Sequence, residues 1–104
     1  MKATAWNNGK HHGSGAGYGL KISAEDRDRY FDKYKKTVKI RFPDGSECEV
    51  NIAKSSFWND TCRELISKEI GLWLIASGNA PWPKGHPPVL ELTPNNDYFE
   101  LKAG

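Results

Sequence analysis

The stretch T-V-K-I-R-F-P-D-G-S-E-C-E-V-N-I, residues 37–52, leaves this chain few choices. Val38, Ile40 and Phe42 alternate with Lys39 and Arg41. Cys48, Val50 and Ile52 alternate with Glu47, Glu49 and Asn51. A period of two puts the apolar set on one face of an extended strand and the charged set on the other; a helix would mix them. Between the two runs lie Pro43, Asp44, Gly45 and Ser46. Proline fixes φ there and glycine tolerates a positive φ. The stretch predicts a β-hairpin with one buried face. Lys39 and Arg41 then face Glu47 or Glu49 across the strands.

Shorter runs carry the same alternation. Leu20 and Ile22, the piece E-L-I-S, and the pair V-L-E-L-T and Y-F-E-L-K joined by P-N-N-D all read as strands. Two helices interrupt them. Ser23 is a good N-cap, Glu25 and Asp26 occupy the first turn, and Lys33, Lys35 and Lys36 lie at the end that favours cations. This predicts a helix of about three turns anchored by Tyr30, Phe31 and Tyr34. Its Asp26, Asp28 and Asp32, beside Arg27, Arg29 and Lys33, read as a solvated, salt-laced face. Ser67 caps a second helix whose Ile70, Trp73, Leu74 and Ser77 share one face. Gly78 suits its end, and Pro81 bars continuation. Gly71 inside it costs up to about 1 kcal/mol against alanine, which implies close approach by a neighbour. A-P-W-P-K-G-H-P-P predicts a loop without regular structure, with Trp82 packed over the barrel end or facing a ligand. Short strands with two scattered helices predict a mainly β fold, a small open barrel of mostly antiparallel strands.

A chain of 104 residues is one domain by length and can bury a modest core. No run of 18 apolar residues exists to span a membrane as a helix. M-K-A-T-A-W lacks the apolar region of a signal peptide. Cys48 and Cys62 make no disulfide framework and point to reduced thiols in a cytoplasmic protein, or a nuclear one in a eukaryote. Cys48 reads as a small core residue.

Charge is lopsided. Residues 1–41 hold ten Lys/Arg against four Asp/Glu, or +6, and residues 42–104 hold five against nine, or −4. A basic front half points to one positive surface and a polyanionic partner; a solvated basic face is the bland alternative.

The segment W-N-N-G-K-H-H-G-S-G-A-G-Y-G, Trp6 to Gly19, has no apolar period. It fits neither phosphate-binding glycine pattern, and no βαβ unit follows it. A floppy leader is the rival reading, opposed by Trp6 and Tyr18, since large aromatics usually find burial. Adjacent His11 and His12 suggest metal. A site needs three or four ligands, and only His86, Cys48 and Cys62 remain, without motif spacing. No Ser/His/Asp or Cys/His arrangement stands out. The expectation is a non-enzyme without metal or cofactor.

The series G-L-K-I-S, helix, V-K-I-R-F-P-D-G-S-E-C-E-V, polar excursion, R-E-L-I-S, I-G-L-W-L-I-A-S-G-N-A, V-L-E-L and Y-F-E-L resembles B3-like DNA-binding domains, the pseudobarrel modules of plant transcription factors and of some bacterial restriction endonucleases. The resemblance covers roughly residues 18–102 and rests on element order and apolar pattern. W-P-K-G-H-P-P replaces the short Gly-Asp turn of many such domains, and the leader is longer than the plant form; both point to a prokaryotic relative. The resemblance implies an N-terminal arm over residues 1–18, a pseudobarrel over 19–104, and two arms that clamp the major groove of double-stranded DNA. Asn7, Asn8, Lys10, His11, His12, Ser14 and Tyr18 would serve in the first arm. Lys54, Ser55, Ser56, Trp58, Asn59, Asp60, Thr61 and Arg63 would serve in the second. The module would be a monomer, and any cutting site would lie on a partner nuclease domain or subunit. The contrasting expectation is a small barrel that binds protein, single-stranded nucleic acid or RNA, with the leader as a disordered tether.

Overall fold

A computed structural model of the chain describes residues 1–103. The strands are β1 (Lys2–Asn7), β2 (Tyr18–Lys21), β3 (Thr37–Arg41), β4 (Glu47–Asn51), β5 (Glu64–Ile66), β6 (Val89–Asn95) and β7 (Tyr98–Ala103), with helices α1 (Ala24–Tyr30) and α2 (Lys68–Ala76). They form one sheet in the order β4-β3-β7-β6-β1-β2-β5. Every pairing is antiparallel except β3 with β7. The sheet curls until β4 and β5 nearly meet, where the Ser67 hydroxyl lies 3.8 Å from Cys48 Sγ. The result is a mainly β, nearly closed seven-stranded mixed barrel with two helices.

The hairpin of residues 37–52 forms as its alternation dictates. Ile40 pairs with Cys48 and Val38 with Val50, and Ile40, Phe42, Cys48, Val50 and Ile52 are buried. Arg41 reaches Glu47 at 2.6 Å, and Lys39 reaches the same carboxylate at 3.9 Å. Leu20, Leu65, Leu90, Leu92 and Leu101 fill the barrel from the other strands. Burying each such side chain contributes about 1.5–3 kcal/mol.

Two elements depart from expectation. The first is β1, which lies centrally between β6 and β2, in the segment assigned to the N-terminal arm. Its inward residues are Ala3 and Ala5, whose small side chains let the wall close but give little apolar contrast in sequence. The second is α1, which stops at Tyr30 with seven residues. Phe31 turns extended, enters the core and stacks on Phe99 at 4.6 Å. Burying that ring outweighs one more helical turn, and Tyr34 is left 94% exposed. Ser23 and Ser67 cap as expected, accepting from Asp26 N at 3.1 Å and Glu69 N at 3.2 Å. Gly78 ends α2 at φ +79°. Among the described residues no helix is long and apolar enough to cross a membrane.

Three carboxylates are held below their ordinary range by hydrogen bonds: Asp44 by Ser46, Glu47 by Arg41, and Glu69 by the Ser67 hydroxyl. Their folded values are depressed, so folding favours the ionised forms. That stability is complete above the unfolded values near about pH 4 and is lost as pH falls through the folded ones. Urea midpoints are therefore expected to hold steady from about pH 7 to 5 and drop below about pH 4. Glu47→Gln should make that acid limb shallower. An unchanged limb would remove the Arg41 pair from the account.

Candidate nucleic-acid interface

Strand register sets the candidate surface. Ala3, Ala5, Leu20 and Leu65 face inward, so Thr4 and Trp6 on β1, Lys21 on β2, and Glu64 and Ile66 on β5 face away from the core. Thr4 pairs with Lys21 and Lys21 with Glu64; Trp6 pairs with Gly19 and Gly19 with Ile66. These two rows cross the outer face of β1, β2 and β5. The loop before β2 leaves this strip at Tyr18. The loop before β5 leaves at Glu64, opposite Lys21. The two excursions thus rise from opposite ends of a ladder about 10 Å long. The strip between them is not acidic. Its one carboxylate, Glu64, is 8% exposed, and its Oε2 has no hydrogen-bond partner among the described residues.

The first excursion is a hairpin loop between β1 and β2, closed by Asn8 N donating to Gly17 O at 2.9 Å. It is neither a free arm nor a tether. Asn7 donates to Lys10 O at 2.6 Å and accepts from Gly9 N at 2.8 Å; Asn8 accepts from Lys10 N at 3.2 Å. These carboxamides bend the chain before they can read a ligand. Ser14 accepts from Ala16 N at 3.4 Å. Gly15 then lies directly on α2. A Cβ at Gly15 would collide with Lys68 O and come within 2.9 Å of Leu72 N. Lys10 and His12 remain exposed on the loop.

Tyr18 differs from its expected role. At 1% exposed it points into the barrel and cannot present itself to DNA. Burial pushes its hydroxyl up from the ordinary value, so it stays neutral, 2.6 Å from His11 Nδ1. His11 in turn makes a T-shaped contact with the Trp82 ring, with centroids 4.7 Å apart. That contact ties the first loop to the proline-rich loop and brings Lys84 and His86 to the same end of the barrel. Neither Lys84 nor His86 is among the contact residues expected from sequence. The signal was the K-G-H between prolines, but only tertiary contact shows which end they join.

The second excursion is a single 3₁₀ turn, Ser55–Trp58, followed by a tight bend. Phe57 is fully buried, and the Trp58 indole N–H donates to Ile52 O at 2.8 Å, so Trp58 anchors the loop. Arg27, expected on a solvated face, is 5% exposed. Its guanidinium donates to Phe57 O at 3.2 Å and Asn59 O at 2.6 Å. Asn59 Oδ1 accepts from Thr61 N at 2.9 Å and Cys62 N at 2.7 Å. Arg63 Nε donates to Ile22 O at 3.0 Å, and its Nη1 donates to Asp60 O. Asn59 and Arg63 thereby build the loop before they can meet a ligand. Ser55, Asp60 and Thr61 are exposed; Lys54 and Ser56 are half-buried.

Among the described residues no group of three or more His, Cys, Asp or Glu is placed to hold a metal ion. Both cysteines are free. The arrangement offers two anchored polar loops, a short strip whose Lys21 lies at the end nearer the second loop, and Lys10 and Lys84 near the first loop. The chain defines a class by geometry, a nearly closed mixed barrel flanked by two anchored loops. No protein-family model, curated protein or solved structure matches it.

Proposed function

We propose that this chain is a sequence-reading module for double-stranded DNA, a B3-like pseudobarrel that lays its β1-β2-β5 strip against the major groove with one loop on each side. One observation carries the reading: the two loops leave opposite ends of a ladder about 10 Å long, close to the roughly 12 Å width of that groove. Lys10, His12, Lys21 and Lys54 supply phosphate contacts and orientation. Ser55, Asp60 and Thr61 supply donors and acceptors to base edges, each good contact adding about 1–3 kcal/mol of discrimination where it is bidentate. Nuclease chemistry, where the module serves a restriction enzyme, belongs to another domain or chain.

Titration with random-sequence duplex at low and moderate salt tests this. Binding is expected to weaken steeply with salt, and Lys10→Ala to flatten the log–log slope by about one. Selection from a random duplex pool should then enrich one motif. No binding at low salt would favour a protein-binding barrel instead. Single strands that outcompete duplex would favour a single-strand binder.

A further inference from the structure

An open groove of about 680 Å³ runs between the end of β1 and the loop of residues 80–88, sharing Trp6 with the edge of the strip. Its walls include Trp6, Asn7, His11, Trp82 and Lys84, and neither Asp nor Glu lines it. Its size falls in the range of sites that hold a small organic group, about 300–1,000 Å³. Both indoles are half-buried, so each keeps surface available. His11 is held by Tyr18 at 2.6 Å and by a T-shaped contact with Trp82, which fixes Trp82 in turn. Lys84 is exposed at the rim.

We infer that this groove seats one unpaired nucleobase, stacked against the indoles, with its phosphate on Lys84. The inference rests on the nucleic-acid reading above and adds a second, distinct contact to it. Charge and chemistry select the occupant. Two indoles offer π-faces, Lys84 offers a cation, and nothing acidic repels a phosphate. The Asn7 carboxamide already spends one donor on Lys10 O and one acceptor position on Gly9 N. Stacking on the indoles accepts any base, because every base has a π-face. The base could come from a duplex, extruded at a weak pair, or from a single strand.

Three probes separate these sources: a fully paired duplex, the same duplex with one bulged adenine, and the single strand, each titrated against the full chain at fixed salt. The bulged duplex, which has already lost the pairing that extrusion would break, should bind about tenfold tighter than the paired one. Trp82→Phe keeps a ring on Tyr18 and His11 but removes the indole, and Lys84→Ala changes only an exposed side chain. Each should cut the preference for the bulge to about threefold or less while paired duplex remains bound. A wild-type chain that binds paired and bulged duplex equally overturns this inference and leaves the duplex-reading proposal standing. A chain that binds none of the three overturns both. Tightest binding to the single strand, with the same dependence on Trp82 and Lys84, supports the groove and names the single strand as its source.

Discussion

Gly71→Ala is expected to destabilise the barrel by about 1–3 kcal/mol, although alanine is the better helix former. The added Cβ would strike the Gly15 carbonyl oxygen and lie 2.7 Å from Gly15 Cα and 2.8 Å from its carbonyl carbon. All three atoms are backbone, so no side chain can swing aside. Gly15 cannot yield easily either, since it sits at φ +84° with its own face pressed on Lys68 O and Leu72 N. The propensity gain of about 1 kcal/mol offsets only part of this strain. The loop has two responses. It can stay and carry the strain, which lowers the urea midpoint, or lift off α2, which speeds amide exchange over residues 8–17. Both readouts should move, and Gly71→Val should move them further. An unchanged midpoint with unchanged exchange would mean that the glycine pair is not in contact. Under the DNA reading a lifted loop also weakens binding, because ordering it again is charged against affinity.

That contact shows where the sequence was legible and where it was not. Gly71 already implied a close neighbour, since a glycine inside a capped helix needs a reason. Its partner could not be named, because Gly15 lies in a stretch with no period and meets α2 only through the hairpin. The Val38–Ile52 hairpin, the caps at Ser23 and Ser67, and the β6-β7 turn with Asn96 at φ 53° are local features with local signals. β1 escaped notice because Ala3 and Ala5 are barely apolar enough to mark a face. Both polar stretches do form loops, before β2 and before β5, but their polar residues were read as donors to a ligand. The structure commits much of that capacity inward: Asn7, Asn8, Asn59 and Arg63 fold their own loops, and Tyr18 holds His11. Composition marks a polar loop; only geometry says which of its groups are already used.

Arg27 is the strongest case of this kind, and Arg27→Met should be the most damaging single change outside the apolar core. Methionine keeps the stem's packing while removing the donors. It leaves Phe57 O and Asn59 O without Nη1, and hydrogen bonds to a charged donor are each worth about 1.5–3 kcal/mol. It also removes a guanidinium lying 5.5 Å from the Trp58 ring centroid. The Asp28 contact at 3.0 Å matters little, because Asp28 is mostly in water. The expected loss is about 3 kcal/mol. It should be accompanied by fast exchange and protease cleavage within residues 55–63. Arg29→Met, on the exposed side of the same helix, should cost under about 0.5 kcal/mol. Arg27→Lys should recover less than half, since an ammonium is a point charge rather than a planar fork. If Arg27→Met and Arg29→Met behave alike, the buried guanidinium is not what fixes the second loop. Under the DNA reading, the second loop would then need another source of preorganisation for base discrimination.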